Sequence, residues 1–163
     1  MAIEYGDGSN SNTGRIIQVV SSARSSVFST TSSSFTDIGL SASITPKESA
    51  SNILIFLTIY SSSNDNHSQR LLRGSTVIEA GGSSGSRSLG FGGGFNCGND
   101  ADVGTMSGIF LDSPNTTSAT TYKLQARGEG SNTDIFVNRM ESDTDAGDRF
   151  RGASSMTAME VGM

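Results

Sequence analysis

Tryptophan is absent from this chain, cysteine and histidine occur once each, and proline occurs twice. A single cysteine, Cys97, excludes an intrachain disulfide and leaves the redox compartment unset. One cysteine and one histidine, His67, cannot supply a structural zinc site from one chain. Charge is also sparse. Only 17% of residues are charged, and 11 Lys and Arg stand against 16 Asp and Glu for a net charge of −5. No basic stripe is present, which argues against nucleic-acid binding by phosphate neutralisation. The longest strongly apolar run, ILIFLTIY at 53–60, is far short of the ~20 residues of a membrane-spanning helix, so no membrane insertion is expected. The opening MAIEYGDGSNSNTG has no basic stretch followed by an apolar one, so no signal peptide is expected. Long runs of Ala, Leu, Glu and Lys are missing, and with them any substantial helix.

What is present is small and hydroxylated: Ser and Thr supply 45 residues and Gly another 20. Such residues, mixed with β-branched ones, suit strands and turns. Residues 1–14 read as an N-terminal arm in which Ile3 and Tyr5 are the only large apolar groups. Residues 15–163 read as one domain. RIIQVVSS (15–22) opens the strands. In SSFTDIGLSASIT (33–45), Leu40, Ala42 and Ile44 alternate with Ser and Thr. ILIFLTIYS is apolar on both faces, which predicts a central strand covered on both sides. HSQRLLRGSTVIEA (67–80) reads as a hairpin turning at Arg73-Gly74-Ser75. VGTMSGIFLDS (103–113) is a further strand. ATTYKLQARGE (119–129) and DIFVNRM (134–140) read as a second hairpin, and ASSMTAMEVGM is the last strand. Eight to ten strands with a turn about every ten residues predict an all-β antiparallel sandwich, most specifically a jelly roll.

The stretch GGSSGSRSLGFGGGFNCG, Gly81–Gly98, holds eight glycines. It lacks the Lys of a phosphate-binding loop. It also lacks the third Gly of a dinucleotide fingerprint, because Phe95 stands where that Gly belongs after Gly90 and Gly92. Gly81-Gly82-Ser83-Ser84-Gly85 fits GxSxG formally, yet no helix follows to make a nucleophile elbow. His67, in NDNHSQR, would have to serve any Ser-His-Asp triad and reads instead as a strand-edge residue. Cys97 has no basic neighbour to activate it. Glu141, Asp143, Asp145 and Asp148 offer oxygen ligands for Ca²⁺ but lack a calcium loop's third early ligand and its bidentate Glu. Arg139, Arg149 and Arg151 flank this cluster, so ion pairing is as natural a use. The same carboxylates are the only clustered candidates for a sugar hydrolase. Asn66-His-Ser68 and Asn115-Thr-Thr117 fit the glycosylation pattern. No catalytic constellation, cofactor or metal is expected.

Several longer phrases resemble a known family. GRIIQVVSSARSSVFSTTSSSFTDIGLSASITPKESASNILI (14–55) is similar to the opening of short β-rich structural proteins of tailed phages. These proteins are common in aquatic and cyanobacterial phages and are often labelled tail-fibre-like. RLLRGSTVIEAG (70–81), FLDSPNTTSATTYKLQARG (110–128), the ending VNRMESDTD…ASSMTAMEVG (137–162) and GSRSLGFGGG resemble further segments of that family. The resemblance implies a virion component, usually a homotrimer, with no catalytic residues to carry over. Short length and the lack of a repetitive shaft favour a head-decorating (cement) protein or short fibre module on the particle surface, held by major capsid or tail proteins. The alternative is a receptor-binding fibre tip that holds a host surface glycan. Ile3, Tyr5 and Arg15 are the expected attachment residues. Arg87, Phe91 and Phe95 of the glycine stretch are expected to be displayed or to pack between subunits.

Overall fold

The computed structural model describes residues 14–82, 85–87, 89–93, 102–130 and 133–163. Eleven strands and no helix are formed among these residues: β1 (Ile16–Arg24), β2 (Phe28–Thr30), β3 (Thr36–Ile44), β4 (Asn52–Ser63), β5 (His67–Arg73), β6 (Thr76–Glu79), β7 (Gly92–Gly93), β8 (Gly104–Asp112), β9 (Thr120–Gly128), β10 (Ile135–Val137) and β11 (Ser154–Val161).

All pairings are antiparallel and fall into two sheets. The first runs β1–β11–β4–β8. The short β10 continues the β11 position along β4, and β2 pairs with β10 as β1 pairs with β11. The second runs β3–β9–β5, with β6 and then β7 on the far edge of β5. The pairs nest in the chain: β5 with β6 innermost, then β4 with β8, β3 with β9, and β1 with β11 outermost. A long antiparallel hairpin wound over itself in this way is the jelly roll that the strand spacing predicts.

The core lies between the sheets. Ile38, Leu40, Ala42 and Ile44 of β3 face Ile53, Ile55, Leu57 and Ile59 of β4, with Leu71, Tyr122, Leu124, Ala126, Met156 and Ala158 between them. Each fully buried Ile or Leu contributes about 1.5–3 kcal/mol, and these alternating positions are what fix strand register. The expected faces of 33–45 and 119–129 and the hairpin at 67–80 are all formed.

One strand pairing differs from expectation. DIFVNRM does not fold back on 119–129. β10 joins the opposite sheet, between β4 and β2, with Ile135 and Val137 fully buried. Alternation reports which faces a strand shows, not which strand lies beside it. The partner is set by contacts distant in sequence, such as the Asp134 amide donating to Asn64 Oδ1 at 2.8 Å.

Two buried polar groups brace the ends of the sandwich. Glu160 on β11 is fully buried. Gln18 Nε2 donates to its Oε2 at 2.6 Å, and the Lys47 and Glu48 amides donate to Oε1 at 2.8 and 3.1 Å. Burial works to raise this carboxyl, but the Gln18 side chain and the Glu48 and Lys47 amides outweigh it and hold the group below the usual range. A depressed carboxylate stabilises the fold above its unfolded pKa, and that stability is lost as pH falls through the folded value. Wild type should therefore lose stability below about pH 4.5 more steeply than Glu160→Gln, as read by denaturant midpoints from pH 7 to 3. Equal slopes would remove Glu160 as the cause. At the opposite end Asn138, buried at φ 63°, ties β10 to the β1–β2 bend and to β11.

Candidate functional site

The two sheets present unlike outer faces. On β4 the residues between the buried isoleucines point outward: Leu54, Phe56, Thr58 and Tyr60. Register extends each into a row across the sheet. Val19, Met159, Leu54 and Leu111 form one row, and Ser21, Thr157, Phe56 and Ile109 the next. Ala23, Ser155, Thr58 and Ser107 follow, with Ile16, Val161 and Asn52 on the other flank. No outward position in these rows carries a charge. Ile109 is 64% exposed, Leu111 and Val19 53%, and Ile16 47%. Hydroxyls that could bind solvent are partly spent on each other, Ser21 with Thr157 at 2.9 Å and Thr58 with Ser107 at 3.2 Å. Tyr60 is capped by Phe150 at 5.3 Å between ring centroids.

The outer face of the β3–β9–β5 sheet is ionic. Lys123 pairs with Asp37 at 2.8 Å, and this hydrogen bond is the main reason the Asp37 carboxyl is held below its usual range. Arg70 donates to Gln125 Oε1 and lies 3.9 Å from the centre of the Phe35 ring, with Arg127 on the same ring at 5.0 Å. Such a face is already solvated and self-paired. The contrast matters because a contiguous exposed apolar patch on a soluble domain marks a contact surface.

The glycine stretch does a different job within the fold. Gly92–Gly93 pair with Ser68 and Gln69, and the Phe91 amide donates to the Gln69 carbonyl at 2.6 Å. Gly93 sits at φ 113°, and a Cβ there would fall on the His67 carbonyl. Phe91 packs over Gly108 of β8, where a Cβ would strike the ring, and so closes the core between β7 and β8. The close backbone approach that glycine allows is thus made to β5 of the same chain.

A scan against protein-family models matches none of them, and a search of the curated proteins matches none.

The expected attachment residues divide accordingly. Arg15 is exposed beside the apolar face, where its carbonyl accepts from the Gly162 amide at 2.9 Å. Arg87 is exposed and Phe91 half-buried. Ile3, Tyr5 and Phe95, together with Cys97 and the Ser83-Ser84 pair of the GxSxG match, lie outside the described residues. His67 is buried at the start of β5, with Nε2 3.2 Å from Gln69 Nε2, rather than at a strand's exposed edge. Asp143 is held by Arg151 at 2.8 Å and Arg139 at 3.9 Å. Among the described residues no three His, Cys, Asp or Glu are grouped to hold a metal. A shallow cleft of about 450 Å³ lies over Asn66, His67, Ser68, Gly90, Gly92, Gly93 and Glu129, a lining without Phe, Tyr or Trp in which His67 is itself buried.

The reading of single segments missed the apolar face. Its signal was present in ILIFLTIYS, whose two apolar faces predict two covers. The chain's own second sheet supplies one of them; on the other face Phe150 packs on Tyr60, while Ile109, Leu111 and Val19 stay exposed.

Proposed function

We propose that this chain is a non-enzymatic structural component of a phage particle. It assembles as a homotrimer on the particle surface, as a head-decorating (cement) protein or a short fibre module. The observation that carries this reading is the charge-free apolar outer face of the β1–β11–β4–β8 sheet, set against the ionic face of the other sheet. A surface of that kind is made for packing against protein. The family resemblance over 14–55 and 110–128 supplies the particle. The clustered carboxylates that a hydrolase would need are engaged in part by arginine, as Asp143 shows. The glycan-binding alternative draws no support from the cleft at Asn66 and Glu129.

Quantitative mass spectrometry of purified particles tests the reading. The chain is expected at hundreds of copies per particle if it decorates heads, and at a few to a few tens if it belongs to the tail. Particles that carry none of it would end the proposal.

A further inference from the structure

From the same face we infer the partner: the outer surface of the β1–β11–β4–β8 sheet packs against copies of this chain. The inference rests on the homotrimer reading and assigns its interface. Three observations support it. The first is extent. Four strand positions at about 4.8 Å and nine-residue strands at about 3.4 Å per residue give a face of about 19 by 30 Å. Covering such a face with a neighbouring copy removes about 570 Å² from water on each side of the contact, about 1,100 Å² in all, which clears the roughly 1,000 Å² expected of a biological interface.

The second is charge. Each copy carries a net charge of −5, so copies repel at long range. This face can be covered by a neighbouring copy without desolvating an ion of its own, because no outward residue of its rows is charged. The third is graded burial. Leu54, Phe56 and Met159 in the middle are half-covered by their neighbours, while Val19 at one edge and Ile109 and Leu111 at the other remain mostly exposed. A partner resting on the face would cover these edge residues.

Sedimentation equilibrium of the full 163-residue chain tests the assignment, with thermal melts and circular dichroism on every variant. Wild type is expected to self-associate as a trimer. Ile109→Glu with Leu111→Glu, and separately Val19→Lys, are expected to raise the dissociation constant by roughly 100-fold or more. Ser43→Glu, on the opposite sheet's exposed face, is expected to leave it unchanged. If the charged variants fail to fold, Ile109→Thr with Leu111→Thr replaces them, with a dissociation constant raised by roughly 10-fold. A monomeric wild type overturns both this inference and the trimer reading. A wild-type oligomer that survives the face variants overturns the inference alone. Loss of that oligomer only when residues 2–12 are deleted would place the contact in the N-terminal arm instead.

Discussion

Asn138→Ala should cost the fold about 4 kcal/mol or more, a large share of the roughly 5–15 kcal/mol that holds a domain together. The side chain is fully buried and fully used. Its Nδ2 donates to the carbonyls of Arg24 at 2.8 Å and Ser26 at 3.1 Å. Its Oδ1 accepts from the Ser154 amide at 3.1 Å and the Ser154 hydroxyl at 2.6 Å. The backbone amide donates to the Tyr60 carbonyl at 2.9 Å, and its own carbonyl accepts from Gly152 at 3.1 Å. Truncation leaves several of these groups without partners away from water, at about 1–3 kcal/mol each. A left-handed φ of 63° adds strain for alanine that asparagine tolerates. Asn138→Gly separates the two contributions. Glycine relieves the backbone strain and so should recover about 1 kcal/mol while still losing the hydrogen bonds. Chemical denaturation of the three proteins gives the comparison. A loss under 1 kcal/mol for the alanine variant would show that water replaces the side chain.

Asp112→Ala is expected to be nearly as damaging, at about 3–5 kcal/mol. Asp112 closes β8 and is buried. Arg73 Nη1 reaches both of its oxygens, at 2.8 and 2.9 Å, and the Tyr122 hydroxyl donates to Oδ2 at 2.7 Å. The three groups come from β5, β8 and β9, so this cluster fastens one sheet to the other. Removing the carboxylate strands a buried phenol and an arginine whose charge has lost its counterpart. Tyr122→Phe is milder, at about 1–2 kcal/mol, because Asp112 keeps Arg73. A double-mutant cycle between the two should show coupling, since both remove the same hydrogen bond. Burial above all, and then the hydrogen bond to Asp112, push the Tyr122 hydroxyl far above its ordinary range. The folded state therefore holds this proton where the unfolded chain releases it. Stability from it is complete below about pH 10 and falls as pH rises beyond that, and Tyr122→Phe should flatten the alkaline limb.

Much of the fold was legible because burial has a period. The inward residues of β3 and β9 alternate cleanly with Ser, Thr and ionic residues, so strand and face could be read, while their pairing with each other could not. The hairpin at Gly74 announced itself by turn chemistry. β10 did not, because three residues between polar segments carry no information about which sheet receives them. The glycine stretch was expected to be displayed or to pack between subunits, and nothing in its own residues points to Gln69 or Gly108 of the same chain as what Phe91 meets. The apolar face was the hardest feature to see. It is spread over four strands, and each contributes only two or three outward apolar groups between hydroxyls. Only register, which brings Val19, Met159, Leu54 and Leu111 into one line, turns those scattered residues into a surface.

The nesting of strand pairs also governs how the molecule can be made. Gln18 and Glu160 hydrogen-bond across 142 residues of chain, and β11 sits between β1 and β4. A ribosome delivers β11 only after the ten other strands have emerged. Until then β1 has no neighbour in its sheet, and β4 shows the growing polypeptide's most hydrophobic segment along an open edge. Loop closure over such separations is slow, so folding is expected on the millisecond-to-second scale of high-contact-order β proteins. The nascent chain is therefore a natural client for a holding chaperone, and its yield should fall with expression temperature and rate well before the finished protein becomes unstable.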